Sequence, residues 1–159
     1  MTPRPLGDLV RDLEQRGMLR TVLAQPTMPV GATSISGVAF DSRRVSAGDL
    51  FVAVPGAESD GHAHATAAVA AGAAAVIGER AMANVNVPQI LVSSARRALA
   101  LSAAWVSGFP SNELGVIGVT GTDGKTTTCF LVRAMLAECG LPAGLVSTIE
   151  VIIGGQSQG

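Results

Sequence analysis

The segment Val116-Ile-Gly-Val-Thr-Gly121-Thr-Asp-Gly-Lys125-Thr-Thr-Thr128 runs an apolar stretch into a glycine-rich turn closed by Gly-Lys-Thr. That order demands a strand, a tight loop and a helix beginning at the loop. Glycines let backbone N–H groups approach an anion, and the start of the helix points its positive end at the same spot. Lys125 adds a full charge, and Thr126 stands where a hydroxyl would hold Mg²⁺ between nucleotide phosphates. The segment reads as a phosphate cradle. The usual signature places a glycine five residues before the Gly-Lys pair, where this chain has Val119, with Gly118 and Gly121 on either side. A glycine turn that merely joins strand to helix is the alternative, disfavoured by Lys125 and the threonine run.

The rest of the chain limits what surrounds such a loop. Its 159 residues allow one domain or one and a fraction. Apolar residues make up 48%, enough for a core, but only 3% are aromatic, so Ala, Val, Leu and Ile must fill the interior. A formal net charge of -1 provides no basic field, which argues against nucleic acid as a partner. Charged residues interrupt the apolar pattern of the N-terminus, so no signal peptide is expected there. The Ala-rich run 63–78 falls short of the roughly 18 to 20 strongly apolar residues of a membrane span, so no membrane is expected and the cytoplasm is the expected location. Cys129 and Cys139 lack CxxC spacing and read as reduced packing residues.

Helical spacing of Leu6, Leu9, Val10 and Leu13, with Gly17 as a stop, predicts an opening helix. A polar stretch, Gln25 to Ser36, follows. Strands are expected at 38–40, 50–54, 74–77 and 89–92, and helices at 62–71 and 95–106. The alternation implies a largely parallel α/β sheet. Phe109-Pro-Ser-Asn112 breaks the pattern, which puts a boundary between domains 1–110 and 111–159. Beyond it come a strand at 114–119, a helix at 125–138 whose Leu131, Ala134 and Met135 can face a sheet, and strands at 145–147 and 150–153.

The loop resembles the ATP-binding loop of the Mur ligases, the amide ligases of peptidoglycan precursors. A second segment agrees: Val38-Ala-Phe-Asp-Ser-Arg-Arg-Val-Ser-Ala-Gly48-Asp-Leu-Phe-Val-Ala-Val-Pro-Gly56, followed by Asp60-Gly-His62, resembles the UDP-binding N-terminal domain of that family. The resemblance implies an α/β UDP-binding domain followed by the start of a P-loop, Rossmann-like ATPase domain. It implies ATP and Mg²⁺ as cofactors, with Gly121, Thr122, Asp123, Gly124, Lys125, Thr126 and Thr127 at the ATP phosphates. Lys125 would be catalytic and Thr126 a metal ligand; Asp123 stands where the family often has Asn. Phe40, Ser42, Ala57, Glu58 and Ser59 would contact the UDP sugar, with Arg43 a possible diphosphate partner. A turn whose Asp41 and Ser42 only satisfy their own backbone is the plain alternative for that segment.

Within the family the motifs resemble the member that joins a third amino acid, diaminopimelate or lysine, to UDP-MurNAc-L-Ala-D-Glu through an acyl phosphate. The D-Ala-D-Ala-adding ligase is the alternative there, folylpolyglutamate synthetases fit less well, and a non-catalytic uridine-nucleotide module is the alternative of another class. Only about 35 residues follow the loop, so the sequence looks like the front of a longer enzyme, without ligase activity by itself. His62 and His64, two apart, diverge and are not expected to bind metal. Asp49 reads as a turn residue and Trp105 as a core anchor.

Overall fold

The computed structural model describes residues 2–24, 28–56 and 59–158. The chain divides into two compact units, Met1–Leu114 and Gly115–Gly159.

The first unit opens with strand β1 (Arg4–Pro5), helix α1 (Leu6–Gln15) and strand β2 (Leu19–Leu23). It continues through β3 (Ser34–Ile35), β4 (Gly37–Ala39), β5 (Asp49–Val52), α2 (Ala65–Ala70), β6 (Ala75–Gly78), β7 (Gln89–Val92) and α3 (Ala95–Val106). Five of these strands form one sheet in the order β2-β7-β6-β5-β4. β4 through β7 pair in parallel, as the alternation of strands and helices predicts, and β2 adds an antiparallel edge. β1 and β3 form a separate antiparallel pair.

Strand alternation sorts the core into two layers, because successive side chains point to opposite faces. Leu50, Val52, Ala75, Ile77, Ile90 and Val92 pack with Leu6, Leu9 and Leu13 of α1 and with Ala98, Leu101 and Trp105 of α3. Phe51, Ala53 and Val76 face the other way and pack with Ala65 and Ala68 of α2 and with Met82, Val85 and Val87. The small residues of α2 let that short helix lie close to the sheet. Trp105 is 1% exposed, the core anchor expected of it.

Helix ends follow local chemistry. Ser94 caps α3, its Oγ accepting from the Arg97 N–H at 3.4 Å. Gly17 (φ +64°) and Gly72 (φ +110°) follow α1 and α2 in backbone conformations that side-chain-bearing residues rarely adopt. The helix expected over 62–71 begins as a 3-10 turn, Gly61–His64, because Asp60 accepts the His62 N–H at 3.0 Å, and continues as α2 only from Ala65. Gly61 is required there, since a Cβ would lie 2.7 Å from the backbone nitrogen of Val54.

The second unit contains helix α4 (Lys125–Glu138) and strands β8 (Leu145–Val146), β9 (Val151–Ile153) and β10 (Gln156–Ser157), which form an antiparallel sheet in the order β10-β9-β8. The strand expected over 114–119 is not formed. Val116 and Ile117 are exposed, and no described segment pairs with them; an apolar run becomes a strand only where a ladder receives it. α4 has the expected bounds, but Leu131, Ala134 and Met135 are exposed rather than packed on a sheet. Cys129 is half-buried, whereas Cys139 lies exposed just past the helix rather than packed. Among the described residues no helix is long and apolar enough to cross a membrane.

Candidate functional site

The parallel strands β4, β5 and β6 all deliver their following loops to one edge of the sheet. In open α/β sheets that carboxyl edge is where ligands bind. Phe40, Ser42 and Ser59, which the sequence singled out, all stand there.

β4 ends at Ala39, and Phe40 immediately beyond it is 63% exposed, a large apolar ring facing solvent. The chain then turns through a 3-10 segment, Ser42–Arg44, with the half-buried Ser42 at its start. Asp41 caps that turn, Oδ1 accepting from the Arg43 N–H at 3.0 Å. The same carboxylate binds the Arg43 guanidinium through two further hydrogen bonds, 2.9 Å from Nε and 2.7 Å from an Nη. Arg43 therefore curls onto its neighbour rather than projecting as a diphosphate partner, and the self-satisfying role considered for Asp41 is real. Ser42 itself is left out of that pairing.

The Arg43 side chain, then its backbone N–H, lower the Asp41 pKa from 3.8 to about 2. A depressed carboxylate pKa means that the pairing is fully present above about pH 4 and is lost as pH falls through about 2. Carboxyl titration followed by NMR is expected to place the Asp41 midpoint near 2 and to return it toward the ordinary range in Arg43→Ala. An unchanged midpoint in that variant would show that the pair is not what holds it.

The loop after β5 is a closed turn. Pro55 and Asp60 form an antiparallel bridge, and the Gly56 N–H donates to the Ser59 carbonyl at 3.0 Å. Ala57 and Glu58 lie outside the described residues. Ser59 Oγ sits 2.9 Å from His64 Nε2. His62, 8% exposed, lies beneath the turn. Its Nδ1 is 2.6 Å from Asp60 Oδ1, and its Nε2 accepts the Glu79 N–H at 2.9 Å. Since Nε2 accepts, the ring proton belongs on Nδ1, donated to Asp60. Arg80 holds the other Asp60 oxygen. Asp60 is held well below the usual carboxylate range, first by the His62 backbone N–H, then by Arg80 and the His62 ring.

Sequence reading found the Asp60-Gly-His62 segment but not Arg80, which is brought in by the fold from 20 residues away. Asp49 accepts the Ser46 N–H at 2.8 Å, the turn role expected of it. An open groove of about 550 Å³ lies away from these loops, lined by Thr66, Val69, Ala70, Asn84, Val85 and Asn86, with no charged group.

Gly121 to Thr127 lie in the second unit. Gly124 (φ +74°) is the residue before α4, in the left-handed region that favours glycine, and no side chain caps the helix. The Thr128 N–H already bonds the Gly124 carbonyl at 2.9 Å. The N–H groups of Lys125, Thr126 and Thr127 belong to the first turn, which has no earlier helical carbonyls to bond. Lys125 Nζ donates to the carbonyls of Gly121 and, at 3.0 Å, Thr122, so its charge sits over the loop. Thr126 is half-buried on the same first turn, and Asp123 is exposed. Among the described residues no three His, Cys, Asp or Glu side chains cluster as metal ligands.

A parallel sheet with loops at its carboxyl edge, and in the second unit a Gly-Lys-Thr loop opening a helix, are features of nucleotide-binding α/β proteins. The family model described as "Mur ligase family, catalytic domain" matches residues 34–105, and the chain belongs to this family. Its relatives make the kinship more specific. It is 47% identical over 128 residues to a UDP-N-acetylmuramyl-tripeptide synthetase of Deinococcus radiodurans, covering 79% of this chain and 26% of that protein. It is 43% identical over 127 residues to a UDP-N-acetylmuramoyl-L-alanyl-D-glutamate--2,6-diaminopimelate ligase of Geobacillus kaustophilus, covering 80% and 26%. Matches of that length take in both the Phe40 turn and the Gly121 loop.

Among solved structures, MurF from Acinetobacter baumannii superposes with a TM-score of 0.65 at 26% identity, covering 87% of this chain and 28% of that one. The chain spans about a quarter of the length of the curated relatives it matches.

Proposed function

We propose that this chain is the sugar-nucleotide-binding region and the ATP loop of a ligase that joins an amino acid to UDP-MurNAc-L-Ala-D-Glu. One observation carries the reading: the Phe40–Ser42 turn and the Gly56–Ser59 turn leave adjacent parallel strands at the same sheet edge. The region up to residue 110 is assigned to the UDP moiety, and the region from 111 onward to ATP. Ala57 and Glu58, within the second turn, are assigned with Ser59 to the same ligand.

The chemistry of each residue suits its part. Phe40 offers an exposed ring against which uracil can stack. Ser42 Oγ can donate a hydrogen bond to the nucleotide. At the second loop, a glycine-led helix start without a side-chain cap fits phosphate oxygens, and Lys125 fits their charge. Thr126, on the same turn, would take Mg²⁺. Bound there, Mg-ATP supplies the phosphoryl group that activates the substrate carboxylate toward an incoming amine. Lys125 neutralises charge that builds on the phosphates, which is where a fixed cation favours phosphoryl transfer most.

The curated relatives support the tripeptide type, at 47% and 43% identity. The relatives from Geobacillus kaustophilus and Syntrophomonas wolfei are 2,6-diaminopimelate ligases by name, which supports that substrate over lysine. The test is calorimetric titration of the chain with UDP-MurNAc-L-Ala-D-Glu. Saturable binding, weakened about tenfold in Ser42→Ala by loss of one charge-assisted hydrogen bond, is expected. Binding that is absent, or unchanged in Ser42→Ala, contradicts the assignment.

A further inference from the structure

The sequence contains two Asp-Gly steps, Asp60-Gly61 and Asp123-Gly124. Such a step is open to a backbone rearrangement, because glycine has no side chain to shield its nitrogen from the preceding carboxyl group. The fold surrounds the two steps in opposite ways. At the first, the Gly61 N–H donates to the Val54 carbonyl at 3.1 Å. A Cβ there would lie 2.7 Å from the Val54 nitrogen, so Gly61 is packed tightly on the backbone that follows β5. The Asp60 carboxylate is held as well, by the His62 N–H and ring and by Arg80. At the second, the Gly124 N–H makes no hydrogen bond among the described residues, and a Cβ on Gly124 would meet nothing within 4 Å. Asp123 is exposed, and the ion pairs among the described residues engage only Asp8, Asp41 and Asp60 as acids.

We infer that Asp123-Gly124 is a site of spontaneous isoaspartate formation, whereas Asp60-Gly61 is protected by its contacts. The Gly124 nitrogen attacks Cγ of Asp123. A new C–N bond forms, a Cγ–O bond breaks, and the carboxyl hydroxyl departs with the amide proton as water. Water then opens the succinimide ring. Attack at Cγ restores aspartate, while attack at the Asp123 backbone carbonyl carbon breaks the bond from that carbon to the Gly124 nitrogen and leaves the chain running through Cβ and Cγ. No oxidant and no second substrate is required. The product carries one extra methylene in the backbone, and its carboxylate stands where the Asp123 carbonyl was, immediately before the residue that leads into α4. The consequence for binding rests on the proposed function: in an ATP cradle this change displaces Gly121 to Asp123 from the first-turn N–H groups of α4, so isomerised molecules lose Mg-ATP.

The test is incubation of the whole chain in warm, neutral buffer, sampled over days. Peptide mapping with a protease that cuts before aspartate but not before isoaspartate is expected to show cleavage at Asp123 falling steadily, with cleavage at Asp60 complete throughout. Methylation by an isoaspartate-specific methyltransferase should rise in step, and should stay at background in Asp123→Glu, whose longer side chain keeps the charge but cannot close the same ring. In denaturant, where the contacts around Asp60 are gone, both steps should isomerise. Isoaspartate at neither step of the folded chain, or equally at both, overturns the inference. An Asp60 that stays inert in denaturant also counts against it, since the fold would then not be what protects that step. Calorimetric titration of the aged samples with Mg-ATP reads the consequence: the number of sites per chain should fall in proportion to the isoaspartate fraction, with the Kd of the remainder unchanged. Fresh chain that does not bind Mg-ATP overturns the nucleotide reading alone, because the isomerisation is read independently by mapping.

Discussion

Trp105→Ala is expected to destabilise the first unit by about 3 kcal/mol, at the low end of the roughly 3 to 5 kcal/mol seen for large aromatic deletions. The indole is 1% exposed within the core layer that α1, α3 and the sheet share, so its removal leaves a cavity in that layer. Two features pull in opposite directions. The Arg4 guanidinium lies 5.1 Å from the ring centre, and that cation–π attraction disappears with the ring, although the hydrogen bond from Arg4 to the Trp105 carbonyl involves the backbone and survives. Conversely, the indole Nε1 has no hydrogen-bond partner among the described residues, so deleting it removes a buried unpaired donor. That relief places the expectation at the low end. Against a total stability of about 5 to 15 kcal/mol, such a loss lowers the thermal midpoint by more than about 10 °C. Thermal unfolding followed by circular dichroism measures it, and a change below about 1 kcal/mol would mean that the core closes over the site.

Lys125→Ala carries the largest expected effect on binding. From the first turn of α4, the exposed ammonium donates to the loop carbonyls of Gly121 and Thr122. Alanine is a strong helix former, so α4 should persist. Affinity for Mg-ATP should nonetheless fall about 10- to 100-fold, the range for removing a charged donor from a phosphate. Comparing Mg-ATP titrations of wild type and variant gives the result. Equal affinities would show that the loop does not hold the nucleotide, whatever its resemblance to a phosphate cradle.

Much of the first unit was legible because its elements are set by local signals. Ser94 before α3, glycines after α1 and α2, and short apolar runs between them fix those bounds from neighbouring residues alone. β2 was not foreseen. It is an edge strand whose residues are exposed or half-buried, so it shows no alternation, and β7 makes it a strand. The reverse holds at 114–119, where the apolar pattern was plain but no described segment pairs with it. Pattern proposes a strand; a partner makes one.

The site divides along the same line. Phe40, Ser42 and Ser59 could be picked out by motif, and the parallel order of β4 and β5 accounts for their common edge. What Arg43 does could not be read from its type, because a carboxylate two residues away captures it. The Asp60–His62–Arg80 clamp needed the fold, since its members come from two loops that only the β5–β6 pairing brings together.

The most direct test of the proposed nucleotide site is a map of backbone amide shifts as UDP-MurNAc-L-Ala-D-Glu is added to the ¹⁵N-labelled chain. Residues 40–44 and 59–62 should shift together and saturate with one Kd, with Gly121 to Thr128 responding to Mg-ATP instead. Shifts confined to the groove around Thr66, Asn84 and Asn86, with the Phe40 and Ser59 turns unmoved, would place the ligand elsewhere and contradict the account.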